Sequence, residues 1–458
     1  MQMDVTDATR LNLIDQAVYE KTGQPLNNLQ RLILNECWQP SKKTYEEIAT
    51  QNNYSGSYIQ QRVAPALWHL MSEIVGAKVT KSNCRSVLLR YLDQLPETPT
   101  PPLAKIDDFP AKNRSETTLP PQPYPLEFPT ESVPIGSPYY INREPYESSC
   151  YQLIIQPGAL IRLKAPRQMG KTSLMNRIIA HAQDYPAVIL NFQQTEQTVL
   201  SDLDRLLRWL CANITRQLKL APALDEYWDD DVGSKMSCTL YLEEYILENV
   251  DAPIILALEE SSELFEYLDV SKDFFSMLRT WHEYTKHQEA WQKLRLILVQ
   301  STETYLPLNI NQSPFNVGFE AALTRFTREQ VNTLAARNGI SLNEANMDQL
   351  MSLLAGHPYL VRLTLYHLAK GSIDIETLFI TASTDEGIFN NHLHRHLWNL
   401  QQYAELGVSF RKCLNQPGPV GIPQTQAFKL HSMGLVTLDK NQVNVSCDLY
   451  RQYFSEHL

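Results

Sequence analysis

Apolar positions change rhythm along this 458-residue chain, and each change marks a different architecture. Up to about residue 95 they recur at helical spacing, interrupted by Pro25, Pro40 and Pro65. From about residue 135 the pattern alternates. Near-continuous apolar runs at 159–163, 187–192, 253–258 and 294–299 predict buried parallel strands. Helical stretches at 171–183, 199–219, 238–249 and 273–289 separate them. That alternation predicts a doubly wound α/β sheet covered on both faces, over 135–325. After about residue 326 the strand pattern stops. Helical patterns at 327–337, 343–355, 358–369 and 385–403 predict an all-helical lid, 326–403.

The last segment, 404–458, reads as helices followed by a short hairpin from Gly434 to Val445, an order similar to a winged helix. Between the first two regions, eleven of the chain's 27 prolines fall from Pro96 to Pro134. Such a segment builds neither helix nor sheet, and we read 96–134 as a semi-rigid linker. Its apolar residues Phe109, Leu119, Tyr124, Leu126 and Phe128 leave open that it packs on the following domain.

Composition narrows the class. The chain is 43% hydrophobic and 20% charged, ordinary for a soluble globular protein. A net charge of −11 argues against coating of nucleic acid by the whole chain. Seven scattered cysteines without a Cys-x-x-Cys pair predict reduced thiols in a cytoplasmic protein rather than a disulfide frame or zinc site. The N-terminus lacks the basic and apolar regions of a signal peptide, and no apolar run reaches the length of a membrane span.

The most informative motif follows the run at 159–163. Residues Ala165-Pro166-Arg167-Gln168-Met169-Gly170-Lys171-Thr172-Ser173 join a strand to a helix. A Gly-Lys-Thr at such a junction cradles the phosphates of a nucleoside triphosphate, with loop amides and the helix N-terminus pointing at the anion. Lys171 would reach the β and γ oxygens, and Thr172 would hold Mg²⁺. Ala165 stands where the first Gly of the usual motif belongs, which constrains the loop without removing a phosphate ligand.

A second acidic motif is required for Mg²⁺ and water. The strand Ile254–Leu258 runs into Glu259-Glu260. Glu259 would assist Mg²⁺, and Glu260 would orient the attacking water as the catalytic carboxylate. Glu259 stands where Asp is usual, so binding should survive while hydrolysis slows. The strand 294–299 runs into Gln300-Ser301-Thr302-Glu303, and Gln300 is the candidate γ-phosphate sensor.

From Ser137 to Phe454 the chain resembles the AAA-like ATPase domain of bacterial, especially cyanobacterial, signalling proteins. The matching stretches are Pro138–Arg143, Arg167–Met175, Trp291–Leu296, Asn311–Gly318, Gly356–Arg362 and Ala427–Val436. The domain is similar to STAND-type ATPases, with a nucleotide-binding core, a helical lid and a winged helix. The resemblance implies further roles. Arg143-Glu144 resembles the box that frames adenine, Pro358 would pack against the base, and Arg362 would reach phosphate. His431 could contact a β-phosphate, although a satisfied core histidine fits it better. One departure stands out: the family pattern resembles Asp-Glu-Val-Asp-Arg, against Glu259-Glu260-Ser261-Ser262-Glu263 here.

Residues 44–70 carry a helix-turn-helix rhythm. Thr44 and Glu47 form a capping box, Asn52–Gly56 a turn, and Ser57 and Gln60 a second box. Ser57, Gln60, Gln61 and Arg62 would then lie where a recognition helix meets DNA, the glutamines suited to adenine and Arg62 to guanine or phosphate. This module, 1–95, resembles the N-terminal helix-turn-helix domain of vWA–MoxR-associated proteins. It carries ten basic against nine acidic side chains, a net of about +1, weak for a strong DNA binder.

Together these features predict an ATP/ADP- and Mg²⁺-binding switch with a helix-turn-helix on a Pro-rich arm, acting through DNA, a protein partner or self-assembly rather than a membrane. A DNA-dependent ATPase regulator and a nucleotide-bound scaffold that does not turn over are the alternatives.

Overall fold

The computed structural model describes residues 14, 18, 21, 26, 28–38, 43–51, 59–94, 124–129, 132–303 and 317–458. Ser57, the side chain of Arg62, residues 96–123 of the Pro-rich stretch and the loop 304–316 lie outside the described residues. The chain divides into two units, Met1–Ser115 and Glu116–Leu458.

The first unit is helical. It contains α1 (Asn28–Trp38), α2 (Tyr45–Gln51), α3 (Ala64–Val75) and α4 (Cys84–Gln94), with a π-helical turn Ile59–Val63 leading into α3. Thr44 and Glu47 cap α2 reciprocally. The Thr44 amide donates to the Glu47 carboxylate at 2.6 Å, and the Glu47 amide to the Thr44 hydroxyl at 3.2 Å. The apolar stripes of the four helices converge on Ile33, Trp38, Ile48, Ile59, Leu67, Met71 and Leu88. Trp68, buried in the same core, donates its indole N–H to the Tyr45 hydroxyl at 2.6 Å.

The second unit is built on five parallel strands: β1 (Leu160–Ala165), β2 (Ala187–Asn191), β3 (Ile254–Glu259), β4 (Leu294–Ser301) and β5 (Phe319–Ala322). Their spatial order is β2-β3-β4-β1-β5. The apolar runs explain the layering. In β1, Ile161 and Leu163 point to one face with Ile255, Ala257, Ile297 and Val299, under α5 (Tyr146–Ile154) and α6 (Lys171–His181). Leu160, Leu256, Leu258, Leu296 and Leu298 point to the other. That face is covered by α7 (Leu203–Gln217), α8 (Ser234–Leu240, continued by a π-helical stretch to Leu247) and α9 (Leu268–Tyr284). Both faces are covered over most of their length, which is why these strands read as near-continuous rather than alternating apolar segments. At the β2 edge the Gln217 side chain satisfies the Ile189 backbone, accepting its N–H and donating to its carbonyl, each at 3.0 Å.

The four predicted strands are present, and a fifth, β5, pairs with β1 at the opposite edge. It spans four residues, Phe-Glu-Ala-Ala, with only Ala321 fully buried. Helix α5 likewise precedes the sheet without having been anticipated.

Beyond the sheet come α10 (Arg328–Arg337), α11 (Glu344–Leu354), α12 (Pro358–Lys370), α13 (Ile375–Thr381), α14 (Asn390–Gln402), α15 (Ala404–Leu414) and α16 (Gln424–Ser432). The hairpin β6 (Val436–Asp439) and β7 (Gln442–Val445) and a last helix, α17 (Asp448–His457), complete the unit. A single apolar cluster runs through all of it, from Val331 and Leu354 through Leu393 and Phe410 to Tyr450 and Phe454. The lid and the last segment therefore share one core. The described end of the Pro-rich stretch also lies on this unit: Tyr139 donates to the Pro125 carbonyl at 3.0 Å, and Phe128 meets Tyr366 edge-on at 5.1 Å. Among the described residues no helix is long and apolar enough to cross a membrane.

Phe410 is fully buried against Phe454, their ring centroids 5.4 Å apart. Phe410→Ala is expected to cost about 3–5 kcal/mol in a denaturant titration followed by circular dichroism. A loss under about 1 kcal/mol would mean that the shared core is not formed.

Candidate functional site

The parallel order brings the C-terminal ends of β1, β3 and β4 to one edge, where open α/β sheets place their ligands. Ala165 pairs in register with Ser301, and Glu259 with Asn191. The loop between β1 and α6 starts there. Ala165 remains inside β1, buried and extended, so it needs none of the freedom a glycine would bring. The left-handed positions fall later, at Gln168 (φ 61°) and Gly170 (φ 89°). Gly170 has a second reason to be glycine, since a Cβ there would sit 2.9 Å from the Arg143 guanidinium. Arg143, itself buried, braces the loop by donating to the Met169 carbonyl at 2.6 Å.

Lys171 is buried at the start of α6. Its ammonium donates to the Ala165 and Pro166 carbonyls at 3.1 and 2.9 Å. Burial pushes its pKa down to about 8, against the opposing pull of Glu260 and Glu303. Next to it, the Thr172 hydroxyl donates to one oxygen of Glu259, and Asn191 donates to the other at 3.2 Å. Glu259 thus brings its carboxylate to the threonine beside Lys171. Glu260 follows in a left-handed conformation (φ 52°). Burial raises its pKa, while Lys171 and Arg167 oppose that rise. Its Oε2 has no hydrogen-bond partner among the described residues, and neither does the Gln300 side-chain amide nitrogen. Unpartnered buried polar atoms facing a loop of this shape fit a bound, hydrogen-bonding ligand. Among the described residues no group of three or more His, Cys, Asp or Glu could hold a metal. A divalent ion at Thr172 and Glu259 would therefore depend on ligand oxygens and water for the rest of its shell.

The opposite wall comes from the C-terminal helices. The His392 ring on α14 meets the Gln168 side-chain oxygen through Nδ1 at 2.7 Å and the Tyr450 hydroxyl through Nε2 at 2.7 Å. Gln168 offers an oxygen, so Nδ1 donates and Nε2 accepts from Tyr450. His357 and His396 pack edge-on to the same ring, with centroids 5.2 and 4.7 Å away. Burial holds all three histidines neutral, their pKa values well below the usual range. Arg395, one turn along α14, reaches the same Gln168 oxygen at 3.4 Å. Thr302, just past β4, donates to the Ser432 carbonyl at 2.5 Å, and Gly434 lies against Pro166.

The sequence-predicted residues divide into two groups. Arg143, Arg167, Gln168, Met169, Gly170, Lys171, Thr172, Glu259, Glu260 and Gln300 gather around the loop. Ser173 faces away, its hydroxyl accepting the Val133 amide at 2.8 Å. Pro358 opens α12 and is buried. Arg362 lies over the Tyr139 ring at 5.8 Å, with Glu127 as its nearby charge. His431 meets the Val436 carbonyl at 3.1 Å. In the first unit Gln60 and Gln61 are exposed on the π-helical turn. His392, Arg395 and Glu303 were not singled out from sequence. The His-x-x-Arg-His spacing of 392–396 does place three polar groups on one face of a predicted helix, a signal that could have been used.

A Gly-Lys-Thr loop leaving the interior strand β1, with paired carboxylates at the end of β3 two places away, defines a P-loop ATPase fold. The sequence profile of the AAA-like domain matches residues 128–456, well over half of the chain, and the chain belongs to that family. The profile of the vWA-MoxR-associated protein N-terminal helix-turn-helix matches residues 3–91. The uncharacterized WD repeat-containing protein slr0143 of Synechocystis sp. is 25% identical over 281 residues, covering 58% of this chain and 23% of that protein. The chain thus spans about a quarter of that relative's length. Among solved structures, the Walker-type ATPase PABY2304 of Pyrococcus abyssi aligns over 69% of this chain and 96% of its own, at 16% identity and a TM-score of 0.48. The STAND protein PH0952 of Pyrococcus horikoshii, with its tetratricopeptide repeat sensor, aligns over 73% and 44%, at 15% identity and 0.33. The Aeropyrum pernix ORC1 protein, solved in complex with DNA, aligns over 72% and 94%, at 12% identity and 0.36.

The buried lysine gives a pH signature. An unfolded chain holds Lys171 at its ordinary value of 10.5, against about 8 when folded. Below pH 8 the unfolded state binds this proton more tightly, which opposes folding. Stability contributed by this group therefore rises as pH climbs from about 8 to 10.5. Between pH 8 and 10 the nucleotide-free protein is expected to gain on the order of 2–3 kcal/mol relative to Lys171→Met in denaturant titrations. Identical pH slopes for the two proteins would contradict the assignment.

Proposed function

We propose that this chain is an adenine-nucleotide switch in which the bound phosphates control the contact between the P-loop core and the C-terminal helices. The observation that carries the reading is the set of direct bonds across that boundary, His392 to Gln168 and Ser432 to Thr302. Any group that reshapes the phosphate loop acts on those bonds at once, which is the two-state element a switch requires.

The roles follow from position. Lys171 and the loop amides of 167–173 bind the phosphates, with Arg143 fixing the loop from behind. Thr172 and Glu259 hold Mg²⁺, whose charge would offset that of the phosphates. Glu260 accepts a proton from, or orients, the attacking water, and Gln300 reads the terminal phosphate at the tip of β4. Pro358 and Arg362 would complete the base and phosphate contacts from the lid in a rearranged state. The last segment serves as a winged helix that moves with nucleotide state. Hydrolysis is slow, because Glu259 is already engaged by Thr172 and Asn191. The output is contact with a protein partner or with further copies of the chain in the cytoplasm.

A second reading, a DNA-dependent regulator, is favoured by the match of residues 3–91 to a helix-turn-helix profile and by the exposure of Gln60 and Gln61. Fluorescence anisotropy of the full chain with duplex DNA at two salt concentrations discriminates it. Specific binding lost in a Gln60→Ala/Gln61→Ala variant supports it, and no binding removes it.

Calorimetry tests the primary reading. Wild type is expected to bind Mg-ADP, and Lys171→Ala to weaken that binding by about a hundredfold or more. Glu260→Gln should retain nucleotide while phosphate release falls to background. Equal affinities for wild type and Lys171→Ala, or no binding heat at all, would overturn the proposal.

A further inference from the structure

Glu303 lies two residues past β4. Its side chain is 9% exposed. One carboxylate oxygen accepts the backbone N–H of Arg167 in the phosphate loop at 3.1 Å. The other lies 4.0 Å from the Arg167 guanidinium, and the Arg395 guanidinium approaches the first at 3.9 Å. Glu303 is also, with Glu260, one of the two carboxylates whose charge acts most on the Lys171 ammonium. A single anionic group thus takes a loop amide and sits among Arg167, Arg395 and Lys171.

That is the environment such a loop offers to phosphate. The P-loop lysine serves the β and γ oxygens, so an anion that faces it and takes a neighbouring loop amide stands where the terminal phosphate would compete. We propose that Glu303 acts as a built-in surrogate for the terminal phosphate, making this closed arrangement selective for a nucleoside diphosphate over a triphosphate. The inference rests on the nucleotide-binding reading above and adds the residue that sets its preference.

The charges support it. Three cations, Lys171, Arg167 and Arg395, face four carboxylates, Glu259, Glu260, Glu263 and Glu303. Glu263 is held by Arg167 and by Gln193 at the rim, and Glu259 by Thr172 and Asn191. Glu303 alone of the four accepts a loop amide. A terminal phosphate entering here brings more negative charge against a buried carboxylate and must take the Arg167 amide from it. Like charges at such separation oppose one another strongly where water is excluded. Displacing Glu303 would also free Arg395, on the helix that carries His392, so the same step that admits a triphosphate disturbs the helical wall.

The test is a calorimetric titration of the full chain with Mg-ADP and with a non-hydrolysable Mg-ATP analogue. The readout is the ratio of the two dissociation constants. Wild type is expected to favour ADP, and Glu303→Gln and Glu303→Ala should each move the ratio toward the triphosphate by about tenfold, the effect of removing one opposing charge. Circular dichroism checks that the variants fold. Should neither fold, Glu303→Asp, whose carboxylate falls one methylene short of the loop, should move the ratio the same way by less. Binding of both nucleotides with a ratio unmoved, or moved toward ADP, overturns the proposal and leaves the nucleotide reading intact. Failure of wild type to bind either nucleotide overturns both.

Discussion

A buried ammonium must be paired, and the placement of Lys171 obliges the rest of the site to form around that requirement. The ammonium is buried and donates to the carbonyls of Ala165 and Pro166, which folds the loop back over the first turn of α6. That geometry needs Ala165 fixed at the end of β1, which β4 supplies through the register with Ser301, while β5 pairs with β1 up to Lys164 on the other side. It also needs left-handed backbone at Gln168 and Gly170, held by Arg143 beneath and by His392 and Arg395 above. Removing water from a lysine is unfavourable by itself. It is tolerated where an anion is to be bound, because each electrostatic contact made there is stronger than it would be in water.

The second constraint is that the C-terminal helices do not form a core of their own at each predicted boundary. One apolar cluster joins α10 to α17, so a displacement of α14 is carried by packed side chains rather than by a flexible hinge. His392 is the contact through which that body meets the loop. Held neutral, with Nδ1 donating to Gln168 and Nε2 accepting from Tyr450, it reads position rather than pH. Tyr450 lies on the last helix, so a change at Gln168 reaches the end of the chain through two hydrogen bonds.

The sheet was legible because both of its faces are covered over most of their length. Strands β1 to β4 are dominated by Leu, Ile, Val and Ala, with Arg162, Lys164 and Arg295 as charged interruptions, and the helices between them carry clear apolar stripes. Strand β5 was illegible for the same reason in reverse: Phe-Glu-Ala-Ala holds one buried residue at an edge and gives no periodicity. The phosphate loop and the Glu259-Glu260 pair were legible as local motifs, since backbone geometry dictates their spacing. His392, Arg395 and Glu303 were not, because they reach the loop from 224, 227 and 136 residues away in sequence. Arg362 and His431 came from family likeness; the residues that approach the loop here lie on α14 instead. In the first unit the Thr44 capping box could be read directly, as it depends on only four residues.

A nucleotide switch of this kind requires that the phosphate loop and the C-terminal helices respond as one coupled element. Hydrogen–deuterium exchange of the full chain with ADP and with an ATP analogue tests it most directly. Exchanging one nucleotide for the other is expected to change protection in α14, α16 and α17 as well as in residues 165–173. Protection changes confined to the loop and α6, with the C-terminal helices identical in both states, would contradict it.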